Sequence, residues 1–250
     1  LTPEMVKLFK VHSIQVGVSL DGPPEIHEQL RGKATATLRG LQLLERFNVP
    51  FRVTTVVTSA NVAFLDKTVL LLAGFKNAWG IGLDLLINKG RAAGATTALP
   101  TDGHALQKAI PRMVAALDLV NAGRHIPLQL RERDLLQKQI YSKKKNRTFC
   151  HAGAGQSMAI HPDGRLFPCS QTMGDEQFCA GTVWHPDFKS LQILSKVQLV
   201  GDRCSNCELT DFCPGECPSR LHYNKMDDMP LACELYRALW QTEQVGKKGA

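Results

Sequence analysis

The sequence predicts an α/β chain in two parts: a run of parallel β/α units, then a small cysteine-rich domain with a β-hairpin. Three observations predict it. Strand-like and helix-like stretches alternate over residues 1–125, the pattern that builds parallel β/α units. All eight cysteines lie at or after position 150. From there onward the texture changes to Cys, Gly, Pro and short segments around turns, as in hairpins.

The elements follow in order. Residues 14–20 are a short apolar, β-branched run that ends at Asp21-Gly22-Pro23-Pro24, a strand and then a sharp break. Residues 35–47 place Leu38, Leu41, Leu43 and Leu44 at helical spacing. Residues 51–58, rich in Val and Thr, read as a second strand, and residues 62–75 as a helix capped by Ser59 or Asn61. A third strand spans 81–87 and closes at Asn88-Lys89-Gly90; a longer helix spans 102–122, with Pro111 placed near its first turns. Three such units are too few to close a barrel, which takes about eight. Either the sheet is open or further strands complete it. Residues 126–149 read as a connector, with a short strand at 127–130 and a charged helix, before a domain at 150–240. In that domain residues 157–160 and 165–168 flank Pro162-Asp163-Gly164, a turn between two strands, and residues 188–197 read as a short helix.

Composition narrows the function. The net charge is +7, but basic residues are scattered, with one tight run at Lys143, Lys144, Lys145 and Arg147, and aromatics make up only 6%. A nucleic-acid binder clusters its positive charge beside aromatics, so no nucleic-acid partner is expected; the surplus suits an acidic peptide. No apolar run is long enough to cross a bilayer and no signal peptide opens the chain, so a cytoplasmic setting is expected. Disulfides are rare there, and a cysteine cluster of this density then points to metal. The chain opens on Leu-Thr-Pro, which suggests a part of a longer protein.

The cysteine spacing is Cys150, thirteen residues, Gly164, four residues, Cys169, then Cys204-x2-Cys207-x5-Cys213-x3-Cys217, and finally Cys233. A pair separated by two residues can set both sulfurs on one metal. Zinc and iron–sulfur both accept such thiolates, so spacing alone leaves a zinc module open. The remaining histidines show no paired metal spacing; His151 adjoins Cys150 as a loop residue.

The same cysteine order resembles the seven-cysteine signature of SPASM domains. Val18-Ser19-Leu20-Asp21-Gly22-Pro23, with His27 and Arg31 following, resembles the fourth-strand segment of the radical S-adenosylmethionine (SAM) enzymes that carry such domains. Anaerobic sulfatase-maturating enzymes and ribosomal-peptide maturases are the best-known members. The resemblance runs from about residue 1 to residue 240. It implies a partial radical-SAM (β/α) barrel over residues 1–125 followed by a SPASM domain. It also implies two auxiliary 4Fe–4S clusters: one on Cys204, Cys207, Cys213 and Cys233, the other on Cys150, Cys169 and Cys217. The second lacks an obvious fourth ligand; Cys179 could fill that place or remain a small core residue.

Further expectations follow from the resemblance. Ser19 matches a position that contacts the SAM ribose, Arg91 lies in a loop that faces SAM, and Asp21, His27 and Arg31 lie nearby. Turn chemistry is the alternative role for Asp21, His27 and Arg31. The implied activity is hydrogen abstraction from a peptide or protein substrate by a 5′-deoxyadenosyl radical, with a flavodoxin or ferredoxin as reductant. The family's Cys-x3-Cys-x2-Cys loop, which holds the SAM-cleaving cluster, does not occur in residues 1–250, so these residues alone are expected to be inactive. Ser170 stands where the sulfatase-maturating branch carries a basic aspartate, and a serine is a poor base at neutral pH. This departure favours a peptide maturase over a formylglycine-forming enzyme. The reading from another class is a non-catalytic, peptide-binding SPASM scaffold.

Overall fold

The computed structural model describes residues 1–142, 149–197, 204–224 and 230–248. The basic run at 143–147 lies outside the described residues. The chain divides into two compact units: unit 1 comprises residues 1–86, 94–137 and 234–250, and unit 2 comprises residues 87–93 and 138–233.

Unit 1 is built on a four-stranded sheet in the order β1-β2-β3-β4, with every pair parallel. The strands are β1 (Val16–Ser19), β2 (Phe51–Val57), β3 (Ala78–Leu85) and β4 (Gln129–Leu130). Sequential parallel strands joined by right-handed crossovers put all the connecting helices on one face. Helices α2 (Pro24–Arg31) and α3 (Ala34–Arg46) join β1 to β2, α4 (Leu65–Leu72) joins β2 to β3, and α5 (Gly103–Ala122) joins β3 to β4. Strand β2 alternates buried and half-buried positions along its length, with Phe51, Val53, Thr55 and Val57 on the buried side. The period of two is that of a pleated strand with one packed face. Leu41 and Leu44 of α3, Leu65, Val69 and Leu72 of α4, and Leu106, Ile110, Met113 and Leu117 of α5 are likewise buried.

The four expected strands and the helices α3, α4 and α5 all form, as does the charged helix after β4, α6 (Arg131–Ser142). Pro111 lies in the interior of α5 rather than in its first turn, where its missing N–H removes one helical hydrogen bond. Asn61 precedes a 3-10 turn (Val62–Phe64) that leads into α4, but its side chain does not cap that turn. Helix α1 (Pro3–Val11) and helix α2 are absent from the sequence expectations. Helix α1 has Thr2 as its cap, accepting from the Met5 N–H at 3.4 Å, and Pro3 in its first turn, both ordinary start signals. It buries only Val6, so no clear apolar stripe announces it. Glu28 of α2 starts α3 by accepting from the Ala34 N–H at 2.6 Å.

Unit 2 has little regular structure. Strands β5 (Ala159–Ile160) and β6 (Leu166–Phe167) pair antiparallel around the expected Pro162-Asp163-Gly164 turn. Its core consists of small clusters, among them Ala152, Phe167, Phe178 and Leu194, and a second of Leu166, Ala180 and Leu191. The chain returns beside β6 at Gly181, where φ is +79° and an added Cβ would lie 2.2 Å from the His185 carbonyl oxygen; only glycine fits there. Residues Ser190–Lys196 form a 3-10 helix where a short helix is expected. Helix α7 (Pro218–Asn224) follows the last clustered cysteine, and α8 (Leu231–Lys248) ends the described chain; neither is among the sequence expectations.

Candidate functional site

Strand β1 ends in a polar hub. Asp21 is buried, and its carboxylate accepts from Arg31 Nε at 2.7 Å and from the Val56 N–H at 2.8 Å. Its own N–H donates to His27 Nδ1 at 3.1 Å, and its carbonyl accepts from Asn61 Nδ2 at 3.0 Å. Asn61 also donates to the Val56 carbonyl and accepts from the Thr58 N–H, each at 2.8 Å. Thus Asn61 holds three backbone groups in two segments, at Asp21 and at Val56 to Thr58, instead of capping the turn that follows it. Buried His27 reaches Thr37 through Nε2 at 3.2 Å, and burial lowers its pKa, against the pull of Asp21. A ring held neutral in this way serves packing. Gly22 turns the chain at φ +141°, and a Cβ there would meet Ile26 at 2.9 Å. The hub gives Asp21, His27 and Arg31 defined structural partners and fixes the backbone just past Ser19.

Ser19 itself is exposed, on the sheet face opposite the buried row. It lies beside Thr54, which lies beside Gly82, and Gly17 lies beside Arg52 and then Gly80. Arg52 stacks on the Trp79 ring, 3.9 Å from its centroid, and donates to Gln129 Oε1 at 2.8 Å. Its guanidinium lies 3.3 Å from where a Cβ on Gly80 would be, and that of Arg131 lies 2.9 Å from the same point on Gly82. Arg131 Nη2 donates to the Leu83 carbonyl and to Asp84 Oδ1 at 2.7 Å each, and Glu132, buried, accepts from the Leu83 N–H at 3.0 Å. A parallel sheet is ordinarily apolar on both faces. Here one face carries Ser19, Thr54, Asp84 and two arginines, so it is polar rather than a packed apolar layer.

Arg91 is exposed and lies in a 3-10 turn (Gly90–Ala92) belonging to unit 2.

All eight cysteines are described, all lie in unit 2, and none forms a disulfide. Backbone N–H groups are directed at cysteine sulfurs, among them Gly153 to Cys150 at 3.4 Å, Gln171 to Cys169 at 3.4 Å, and Gly215 to Cys213 at 3.3 Å. Amides aimed at sulfur stabilise the thiolate, the form that binds metal. Cys179 behaves differently, because its thiol donates to the Gly181 carbonyl at 3.8 Å. Cys150, Cys169 and Cys179 all pack around the Phe167–Phe178 cluster. Burial pushes the Cys213 thiol up to about 11, and the nearby Cys207 and Cys204 add to the shift. Burial also raises Cys217, opposed by Arg220.

Two of the cysteine segments are tied by Glu216. This buried carboxylate accepts from the Cys217 N–H at 2.6 Å, from the Ala232 N–H at 3.1 Å, and from the buried Arg220. Ala232 adjoins Cys233, so one side chain holds the backbone beside two expected ligands. Among the described residues, no three His, Cys, Asp or Glu side chains are grouped to hold a single metal ion. A four-iron cluster spreads its thiolates over separate iron atoms, and a donor set of cysteines not joined in disulfides, some with directed amides, fits that group. Glu216, Arg220, Lys89 and Tyr223 are not singled out by sequence, because their partners are distant in the chain or carry no motif.

The fold is that of the anaerobic sulfatase-maturating enzyme structures. The chain superposes on native anSMEcpe with bound AdoMet with a TM-score of 0.74 over 100% of this chain and 73% of that one, at 20% identity. The same protein solved with AdoMet and the Kp18Cys peptide gives 0.73 over 97% and 70%, also at 20% identity. Sequence relatives agree. The chain is 25% identical over 243 residues to the AdoMet-dependent heme synthase of Methanosarcina barkeri, covering 89% of this chain and 67% of the relative. It is 23% identical over 240 residues to the serine-type anaerobic sulfatase-maturating enzyme of Klebsiella aerogenes, covering 86% and 55%. An uncharacterized protein of Methanocaldococcus jannaschii is 27% identical over 180 residues, covering 70% and 55%. The chain therefore spans about half to two thirds of the length of these relatives. No family model matches it.

Proposed function

We propose that the chain supplies the later part of a radical SAM barrel and the auxiliary-cluster domain, residues 150–240, of an enzyme that modifies a peptide or protein substrate. The observation that carries the reading is the sulfur environment of unit 2. Cys150, Cys169 and Cys213 each accept a backbone N–H, while Cys179 donates its proton to a carbonyl. In this reading Cys204, Cys207, Cys213 and Cys233 hold one 4Fe–4S cluster. Cys150, Cys169 and Cys217 hold the other, and Cys179 is a core residue. Bound SAM would supply a 5′-deoxyadenosyl radical for hydrogen abstraction. This chain's share is to orient: Ser19 would offer its hydroxyl to the ribose, and Arg91 would face the cofactor. The polar sheet face would offer hydrogen-bonding groups that orient the cofactor or substrate. The peptide present in a solved structural relative supports a peptide substrate. Ser170 in place of a basic aspartate favours a crosslinking or other maturase over formylglycine formation. The reductant would be a flavodoxin or ferredoxin. No helix among the described residues is long and apolar enough to cross a membrane.

The test is anaerobic reconstitution of residues 1–250. We expect about seven to eight iron atoms per chain for two 4Fe–4S clusters. With dithionite and SAM, no 5′-deoxyadenosine should accumulate above a protein-free control, since these residues contain no Cys-x3-Cys-x2-Cys loop. Stoichiometric zinc without iron would overturn the cluster assignment, and 5′-deoxyadenosine from these residues alone would overturn the division of labour.

A further inference from the structure

Lys89 occupies an unusual place in unit 2. Its Nζ donates to the Gln171 carbonyl and to the Met173 carbonyl, each at 2.9 Å. Both acceptors belong to the turn that directly follows Cys169. In that same turn the Gln171 N–H donates to Cys169 Sγ at 3.4 Å, and the Thr172 hydroxyl donates to the Cys169 carbonyl at 2.8 Å. The ring of Tyr223 lies under the ammonium at 4.8 Å, and the Tyr223 hydroxyl donates to Asp175 Oδ2 at 2.7 Å. The neighbouring Asn88 N–H is held by Asn224 Oδ1 at 2.7 Å, so the loop that carries Lys89 is anchored twice.

This arrangement has an electrostatic meaning. Both hydrogen bonds from the ammonium go to neutral carbonyls, and among the described residues no carboxylate lies within ion-pair distance of it. Its positive charge is therefore not cancelled on contact, and Asp175 and Cys169 both act on it through space. Burial lowers the Lys89 pKa, while Asp175 and Cys169 oppose that shift and favour the charged form. Asp175 is itself kept ionised, with its pKa lowered first by the Tyr223 hydrogen bond.

We propose that Lys89 is a positioning and charge-setting residue for the iron–sulfur cluster at Cys169: it fixes the turn whose amide bonds the Cys169 sulfur and raises that cluster's reduction potential. Reduction adds a negative charge to the cluster, and a fixed cation nearby favours that state, as does each hydrogen bond to sulfur. Asp175 acts with the opposite sign from the far side of the Tyr223 hydroxyl. The proposal rests on the assignment of Cys169 to a cluster, and the experiment separates the two.

The protein is reconstituted without oxygen as wild type, Lys89→Arg, Lys89→Gln and Asp175→Asn, and iron content is measured before an EPR-monitored redox titration. Gln at position 89 keeps one donor for the carbonyls but no charge, and Asn at position 175 keeps an acceptor for Tyr223 but no charge. One of the two cluster signals should move to a more negative potential in Lys89→Gln and to a more positive one in Asp175→Asn. Lys89→Arg should stay near wild type, and the other cluster should not move in any variant. A purely structural role predicts no such opposed signs. Unchanged potentials in both neutral variants, or shifts of the same sign, overturn the proposal while leaving the clusters in place. A wild-type protein without iron overturns the cluster assignment itself.

Discussion

In unit 1 a strand such as β2 buries every second side chain over seven residues, and helices α3, α4 and α5 add leucines to the same layer. In unit 2 the two paired strands are two residues long, and the core clusters hold three or four buried residues each. The polar accounting differs as well. Unit 1 meets its buried backbone groups with side chains such as Asn61, Asp21 and Glu132. Unit 2 aims backbone amides at sulfurs, an investment that yields most when those sulfurs carry negative charge. Small domains with thin cores rely on disulfides or metal, and unit 2 has no disulfide. The contrast teaches that the two units draw on different sources of order: apolar burial in one and, in the function proposed above, thiolate–metal bonds in the other.

The largest expected effect comes from removing a sulfur. Cys207→Ala should lose about half of the bound iron and leave residues 204–233 accessible to limited proteolysis, because metal binding here is folding energy. Full iron retention with an unchanged digestion pattern would break the comparison. A smaller, purely structural loss is expected in unit 1. Asn61→Ala removes the partner of the Thr58 N–H and of the Val56 and Asp21 carbonyls. Leaving such groups unsatisfied should cost about 1–3 kcal/mol in denaturant unfolding, with iron content as in the wild type. An iron loss in this variant would mean that the two sources of order are not separable.

The smallest effect belongs to Cys179→Ala. Its thiol donates to a carbonyl and packs against the Phe167–Phe178 cluster, so we expect a loss of about 1 kcal/mol for a trimmed core residue and unchanged iron. Loss of one whole cluster would make Cys179 the fourth ligand and redraw the assignment of Cys150, Cys169 and Cys217.

How much of this was legible in the sequence depends on where each signal lies. The Val and Thr run of β2, the leucines of α3 and the Pro162-Asp163-Gly164 turn state their structure locally, and the expected strands appear where those signals stand. Helix α8 carries Cys233 in its first turn and was masked by the cysteine texture before it, although its buried Leu235, Tyr236 and Leu239 keep helical spacing. Asn61 was legible as a polar residue before a helix, but its use was not, since Asp21 lies forty positions away. The same holds for Lys89, whose partners Gln171 and Met173 are more than eighty residues downstream. Cysteine spacing can suggest a metal-binding domain because ligand loops are short; the residues that hold the turns beside those cysteines come from elsewhere in the chain and carry no motif.

The Glu132–Arg131 pair has a consequence for how the sheet ends. Strand β4 pairs with β3 at only two positions, Gly80 and Ile81. Beyond them, the Leu83 N–H is taken by the Glu132 carboxylate and the Leu83 carbonyl by the Arg131 guanidinium. An exposed strand edge is a template on which other chains can polymerise. At Leu83 a further strand would find both groups already occupied, and displacing them would cost the buried Glu132 carboxylate one of its donors, leaving it Arg131. The pair thus ends hydrogen-bond propagation beyond β4 with two side chains, where other proteins use a proline, a bulge or a covering loop.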